Sequence, residues 1–287
     1  MFPAKFEYYA PKSVKEAVTL LAKNKNAKIL AGGHSLLPAM KLRLAEPSAL
    51  VDVGKIKTLA GIKSAKSGTT IGALTTHATI AASDAIRNHC PAISEAAAAI
   101  GDWQVRNRGT IGGSLAHADP AADYPAVMLA VGAEFTAVGA KGARKIKAGD
   151  FFKGALTTAL KPNEVLTQIK IPAHQPSSGC AYVKFAQPAS RFAIVGVCAW
   201  VKLDANRNVE KASIGVTGAC ANATRARAAE KALEGKKPDD AAIKAAAAHS
   251  SDGMDCLSDI HASAEYRAHL VSVMTERAMK AAVERAK

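Results

Sequence analysis

The hydrophobic pattern changes period along the chain, and each change marks an element. Phe6 and Tyr8 alternate with polar neighbours as in a short strand. After Pro11, Ser13 and Glu16 stand three residues apart, the spacing of a capping box. Val14, Ala17, Val18 and Leu21 follow at i, i+3, i+4 and i+7, which predicts one buried helical face. Residues 28–30 read as a strand running into Gly32 and Gly33, residues 49–53 as another, and residues 59–62 and 69–73 as a short pair. Helical patterns return at 76–82 and, after Pro91, at 92–100. Residues 101–123 then show little periodicity and contain four glycines, a length of irregular chain that a compact domain tolerates where it is functional. Beyond it the pattern predicts a helix at 124–131 and strands at 134–138 and 165–171.

The texture shifts after residues 172–179, where two prolines, two serines and a glycine mark the best linker. Strands are expected at 181–185, 193–203 and 213–216, followed by alanine-rich helices from residue 223 onward. Strands first and helices last read as a separate α+β layer domain. The division expected is residues 1–176, with lobes of about 1–56 and 57–176, and residues 177–287.

Composition narrows the class. The chain has 287 residues, 49% hydrophobic and 22% charged, the balance of an ordinary globular protein rather than a disordered one. No window approaches the roughly 20 apolar residues of a membrane span, so no integral membrane segment is expected. The first nine residues carry Lys5 and Glu7 and lack a signal-peptide core, which makes the expected location cytoplasmic. Five dispersed cysteines without a C-x-x-C argue against a disulfide framework and against this chain ligating zinc or a cluster alone.

A net charge of +14 raises nucleic-acid binding as a possibility. Scattered single lysines and an aromatic content of 5% supply few stacking platforms for bases, so no nucleic-acid partner is expected. Residues 1–176 hold 22 basic and 12 acidic side chains. The excess sits with the glycine motifs, which suits an anionic cofactor or an acidic partner subunit.

Two motifs carry chemistry. Ala31-Gly32-Gly33-His34-Ser35-Leu36 follows a strand, where paired glycines let backbone N–H groups approach a phosphate; an ordinary tight turn has the same composition. Thr110-Ile111-Gly112-Gly113-Ser114 repeats that chemistry, and together the two resemble the walls of a pyrophosphate clamp. Asp123 either accepts hydrogen bonds from cofactor hydroxyls or caps the following helix. No G-x-G-x-x-G fingerprint, hydrolase elbow or Cys/His nucleophile motif is present, and no residue is assigned as catalytic or as a metal ligand.

These residues, with Leu37-Pro38, Lys41-Leu42-Arg43, Gln104-Val105-Arg106 and the stretches 182–195 and 264–267, resemble the FAD-binding medium subunit of molybdenum hydroxylases, the carbon monoxide dehydrogenase and xanthine dehydrogenase family. The resemblance implies an α+β fold: a two-lobed FAD domain of the vanillyl-alcohol-oxidase (PCMH) type, then a smaller α+β C-terminal domain. It implies non-covalent FAD held at residues 31–36 and 110–114, with Asp123 on its polar hydroxyls. Leu166 and Lys184 would lie along the flavin or its polar end, and Phe192 beside the ring. The carbon monoxide enzymes carry Asn where this chain has Ser114 and Tyr where it has Phe192, departures that argue against carbon monoxide as substrate. The molybdenum cofactor and two [2Fe-2S] clusters would belong to large and small partner subunits, in a dimer of heterotrimers. The alternatives are a stand-alone flavin oxidase of the same fold and a basic nucleic-acid-binding or scaffold protein.

Overall fold

The computed structural model describes residues 1–286. The first lobe contains β1 (Glu7–Tyr9), α1 (Val14–Lys23), β2 (Ala27–Leu30), α2 (Leu36–Lys41) and β3 (Ala49–Asp52), its strands forming a parallel sheet in the order β1-β3-β2. Ser13 caps α1 by accepting the Glu16 N–H at 3.2 Å, while Glu16 reaches back to the Lys12 N–H at 2.8 Å, one residue earlier than the usual reciprocal bond. Ala17, Val18 and Leu21 are buried as their spacing requires, in a core shared with Val51, Ile56 and Leu59. Val165 of the second lobe joins that core and so joins the lobes.

The second lobe holds β4 (Ile62–Ala65), β5 (Gly68–Gly72) and six helices: α3 (His77–Ala82), α4 (Asp84–His89), α5 (Pro91–Ala99), α6 (Trp103–Arg108), α7 (Ile111–His117) and α8 (Asp123–Val131). β6 (Glu134–Gly139), β7 (Gly142–Lys147), α9 (Ala148–Phe151), β8 (Phe152–Gly154), β9 (Thr157–Thr158) and β10 (Val165–Pro172) follow. The sheet runs β4-β5-β10-β6-β7, antiparallel throughout.

Two expectations are corrected here. Residues 101–123 are not irregular: they form α6 and α7, capped by the side chains of Asp102 and Thr110, which accept the N–H groups of Val105 and Gly113. Six- and seven-residue helices are too short to show a hydrophobic period. The strand expected at 59–62 begins at Ile62, because Leu59 closes a 3-10 turn and gives its carbonyl to Leu74 N–H. The pattern also missed α2, α4 and β7.

The smaller domain contains β11 (Ser178–Ala186), β12 (Ala193–Leu203), β13 (Val209–Thr217), β14 (Thr224–Arg225), α10 (Arg227–Leu233), α11 (Asp240–Ala248) and α12 (Ala264–Arg285). Residues 224–225 extend the sheet before the helices begin, which corrects the helical start at 223. The architecture is α+β, as expected.

Helices cover both faces of this antiparallel sheet, so β12 reads as an apolar run rather than an alternation. Val195, Val197, Ala199 and Val201 enter the core beneath α10 and α12; Cys198 and Trp200 face α5 and α8. On β11 the same period sends Ala181 and Val183 one way and Cys180 and Tyr182 the other. Helix α8 lies so close to β13 that a Cβ on Gly215 would strike the Ala126 carbonyl. Gly215→Ala is expected to lower stability by about 1–3 kcal/mol. Gly149→Ala, in α9 with nothing within 4 Å of a new Cβ, is expected to leave stability unchanged or raise it by up to about 1 kcal/mol. Urea denaturation of the two variants checks the contrast.

Candidate functional site

The two glycine loops meet. A Cβ on Gly32 would strike the Arg108 carbonyl and lie 2.9 Å from Gly109 Cα, so the β2–α2 turn rests directly on the α6–α7 turn. Gly33 has φ +78°, a left-handed conformation that suits glycine. A Cβ on Gly113 would lie 2.9 Å from the capping Thr110 Oγ1 and 3.9 Å from Ala31 Cβ of the first loop.

The loops differ in what they leave free. None of the N–H groups of Gly32, Gly33, His34 and Ser35 donates to another described residue. In the second loop Ile111 N–H donates to Thr75 O (3.1 Å), Gly112 N–H to Ala73 O (2.8 Å) and Gly113 N–H to Thr110 Oγ1 (3.1 Å). The hydroxyls of Ser35 and Ser114 have no partner among the described residues. His34 is exposed, with Nδ1 2.9 Å from the Gly32 carbonyl, so the ring folds over its own turn. Leu36 begins α2 and Ile111 begins α7 as a fully buried residue.

His77, unmarked in the sequence, supports the second loop from below. Its N–H donates to Gly109 O at 3.0 Å, its ring would touch a Cβ on Gly109, and Nδ1 lies 3.1 Å from Tyr124 Oη. Burial lowers its pKa to about 4, with the charges of His34 and Arg106 adding. Arg106 fixes the turn before α6 by donating to the Ile100 and Gly101 carbonyls at 2.9 Å each.

Asp123 is the first residue of α8 and does not cap it; Ala122 holds that position. Its buried Oδ1 accepts from Tyr182 Oη at 2.6 Å and from Lys184 Nζ at 2.8 Å. Burial raises the carboxyl pKa, opposed by Lys184 and Tyr182. Lys184 Nζ also donates to Ala99 O (2.8 Å) and Arg191 O (2.7 Å), tying α5, α8 and the 187–192 turn to β11. Phe192 ends that turn, 48% exposed. Leu166 sits in the core of β10, paired with Ala137, one strand away from Ala73.

Thus the structure brings residues 31–33 against 109–113 and joins Asp123 to Lys184, and it leaves Phe192 at the surface and Leu166 in the core. A cleft of about 390 Å³ opens beside Lys184, lined also by Glu95, Tyr182 and Arg191. A larger cavity of about 520 Å³ lies at the other end of α8 and contains neither glycine loop.

Residues 4–174 match the FAD-binding domain in molybdopterin dehydrogenase, and residues 180–282 the carbon monoxide dehydrogenase flavoprotein C-terminal domain. The chain is 40% identical to the carbon monoxide dehydrogenase medium chain of Hydrogenophaga pseudoflava, over 98% of each. It is 39% identical to the 6-hydroxypseudooxynicotine dehydrogenase complex subunit alpha of Paenarthrobacter nicotinovorans, over 100% of this chain and 97% of that one. The solved carbon monoxide dehydrogenase of Hydrogenophaga pseudoflava that lacks the Mo-pyranopterin moiety superposes with a TM-score of 0.95 at 41% identity, covering 99% of both chains.

The buried groups give two expected outcomes. Because His77 titrates lower in the folded chain than in the unfolded one, the unfolded chain binds the extra proton, and stability is lost as pH falls from about 6.5 to about 4. His77→Phe removes that contribution, so the stability gap between wild type and variant is expected to shrink by about 3 kcal/mol between pH 7 and pH 4, read by urea denaturation. Asp123 has the opposite sign: its raised folded value makes stability fall as pH rises above the unfolded value of 3.8. Lys184→Met strands that carboxylate and is expected to cost about 3–5 kcal/mol, more at pH 8 than at pH 5, in the same assay.

Proposed function

Because the chain belongs to the family of FAD-binding medium subunits of molybdenum hydroxylases, we propose that it is the electron-transfer flavoprotein of such an enzyme, receiving electrons from [2Fe-2S] clusters of a small partner subunit and passing them to an external acceptor. Oxidation of the substrate then takes place at the molybdenum cofactor of a large subunit. The expected assembly is a dimer of heterotrimers in the cytoplasm. The names of the relatives, a medium chain and a subunit of a dehydrogenase complex, support an assembly of several chains. No described helix is long and apolar enough to cross a membrane.

The observation that carries the reading is the row of free N–H groups from Gly32 to Ser35 in a loop that rests on the second glycine loop. Such a row is an anion nest, and it fits a pyrophosphate. In this reading the first loop supplies the donors. The second, whose glycine amides are engaged internally, supplies a close wall and the Ser114 hydroxyl. Thr110, Ile111 and Gly112 hold that wall against Ala73 and Thr75. Ala31 and Leu36 frame the first loop, and His34 shields it.

Bound FAD supplies the redox chemistry, and the protein's share is position and electrostatics. Asp123 has a second oxygen that accepts from no other described residue, and we assign it to a cofactor hydroxyl, with Lys184 orienting the carboxyl group and opposing the effect of burial on it. Phe192 offers an apolar surface to the flavin, and Leu166 fills the core behind it. Residues 1–176 form the FAD-binding unit, and residues 177–287 close over it. The two named relatives are near-equal in identity but act on unlike substrates, which supports placing substrate choice in another chain.

Acid denaturation of the purified protein is expected to release one FAD per chain into the supernatant. Colour that stays with the precipitated polypeptide, or a native preparation without flavin, would overturn the assignment. Gly113→Ala is expected to weaken FAD binding at least about tenfold, the scale of one misplaced contact, and to lower Tm somewhat, since the new Cβ presses on the capping Thr110 Oγ1. Equal FAD affinity in the folded variant contradicts the clamp; Lys63→Ala is the neutral control.

A further inference from the structure

The face of β11 that carries Tyr182 and Lys184 also carries Cys180, and there it meets a second thiol. Cys180 Sγ lies 3.5 Å from Cys90 Sγ, across the junction between the FAD-binding segment and the C-terminal domain. Cys90 is the one non-helical residue between α4 and α5, directly before Pro91. The two side chains are 3% and 5% exposed, yet both line the 520 Å³ cavity, together with His89, His174 and Arg285. A small reagent therefore has a route to them.

A buried cysteine is ordinarily a small apolar side chain. Cys198 is of that kind: it is fully buried and lines no part of the cavity. Cys180 has different surroundings. The hydrogen bond shared with the Cys90 thiol lowers its pKa, and the Ala92 N–H and the Arg285 charge act the same way, against burial and the Glu95 carboxylate. Cys90, bonded to Cys180 and buried, is pushed up. Two sulfurs in contact at a cavity wall, with the Arg285 guanidinium donating to the Cys180 carbonyl at 2.8 Å, have the arrangement of a reactive cysteine with a resolving partner.

We propose that Cys90 and Cys180 form a reversible oxidation site at which hydrogen peroxide converts the thiol pair into a disulfide stapling the FAD-binding segment to the C-terminal domain. The Cys180 thiolate attacks one peroxide oxygen, the O–O bond breaks, and the departing hydroxide takes up the proton the thiolate had released and leaves as water. The Cys90 sulfur then displaces hydroxide from the resulting sulfenic acid, and the Cys90 proton completes the second water. Two thiols and one peroxide become one disulfide and two waters. The proposal does not depend on the flavin reading.

Cys220 and Cys256 face each other across an isolated antiparallel bridge, so the test uses a Cys220→Ser/Cys256→Ser background. The full chain in its native assembly is treated with hydrogen peroxide, blocked with iodoacetamide under denaturing conditions, digested without reduction and mapped by mass spectrometry. The expected result is a Cys90–Cys180 linked peptide that dithiothreitol abolishes, with Cys198 recovered alkylated. Oxidation is also expected to raise Tm by several degrees, a rise absent from Cys90→Ser. The same mapping on the unsubstituted chain reads the linkage without relying on any variant. Recovery of Cys90 and Cys180 as free thiols, at a peroxide dose that oxidises exposed Met1, overturns the proposal, as does their recovery only as sulfonic acids.

Discussion

Four successive backbone N–H groups, from Gly32 to Ser35, have no acceptor within the described protein. Backbone amides are obligatory hydrogen-bonding groups, and these four, half-buried or exposed, are open to water or, in the function proposed above, to an anion. Much of the surrounding structure serves that arrangement. The β2–β3 pairing ends at Leu30 and Asp52, Gly33 turns the chain through a left-handed conformation, and Gly32 lets the turn settle on the Arg108 carbonyl. A side chain at Gly32 would push the loops apart.

The second loop is built for rigidity instead. Thr110 caps α7, the next three N–H groups are bonded within the protein, and His77 packs neutral beneath Gly109. Its hold on the C-terminal domain is indirect and runs through α8. Tyr182 and Lys184 meet Asp123 at the start of that helix, while the Thr217 hydroxyl donates to the Pro120 and Ala122 carbonyls, at 2.9 and 2.7 Å, just before it. One buried ammonium, Lys184, thereby fixes α5, α8 and the turn before Phe192 at once. An ion pair so enclosed is weak as a source of stability but strict about geometry, because breaking it strands a charge.

Much of this was legible in the sequence. The spacing of Val14, Ala17, Val18 and Leu21, the capping by Ser13 and the apolar run of β12 led directly to elements, and both glycine motifs were visible as possible phosphate contacts. What stayed hidden depends on contact rather than period. Helices α6 and α7 are shorter than two or so turns, so their caps were read as loop. Thr110, three residues before Gly113, is a local sign of a capped amide, but nothing local separates the engaged amide of Gly112 from the free ones of Gly32 to Ser35, since its acceptor is the distant Ala73. His77 carried no signal. Cys180, Tyr182 and Lys184 carried one, since alternate positions of a strand share a face, but their meeting with Asp123 is a long-range contact that no spacing shows.

The asymmetry of the two loops is the central claim, and hydrogen exchange reads it directly. Exchange of the purified flavoprotein is followed by mass spectrometry with FAD bound, removed and restored. The amides of Gly32 to Ser35 are expected to exchange fast without FAD and to become strongly protected when it returns, whereas those of Ile111 to Gly113 are expected to be protected in both states. Unchanged exchange at the first loop, with FAD-dependent protection confined to the second, would contradict the account.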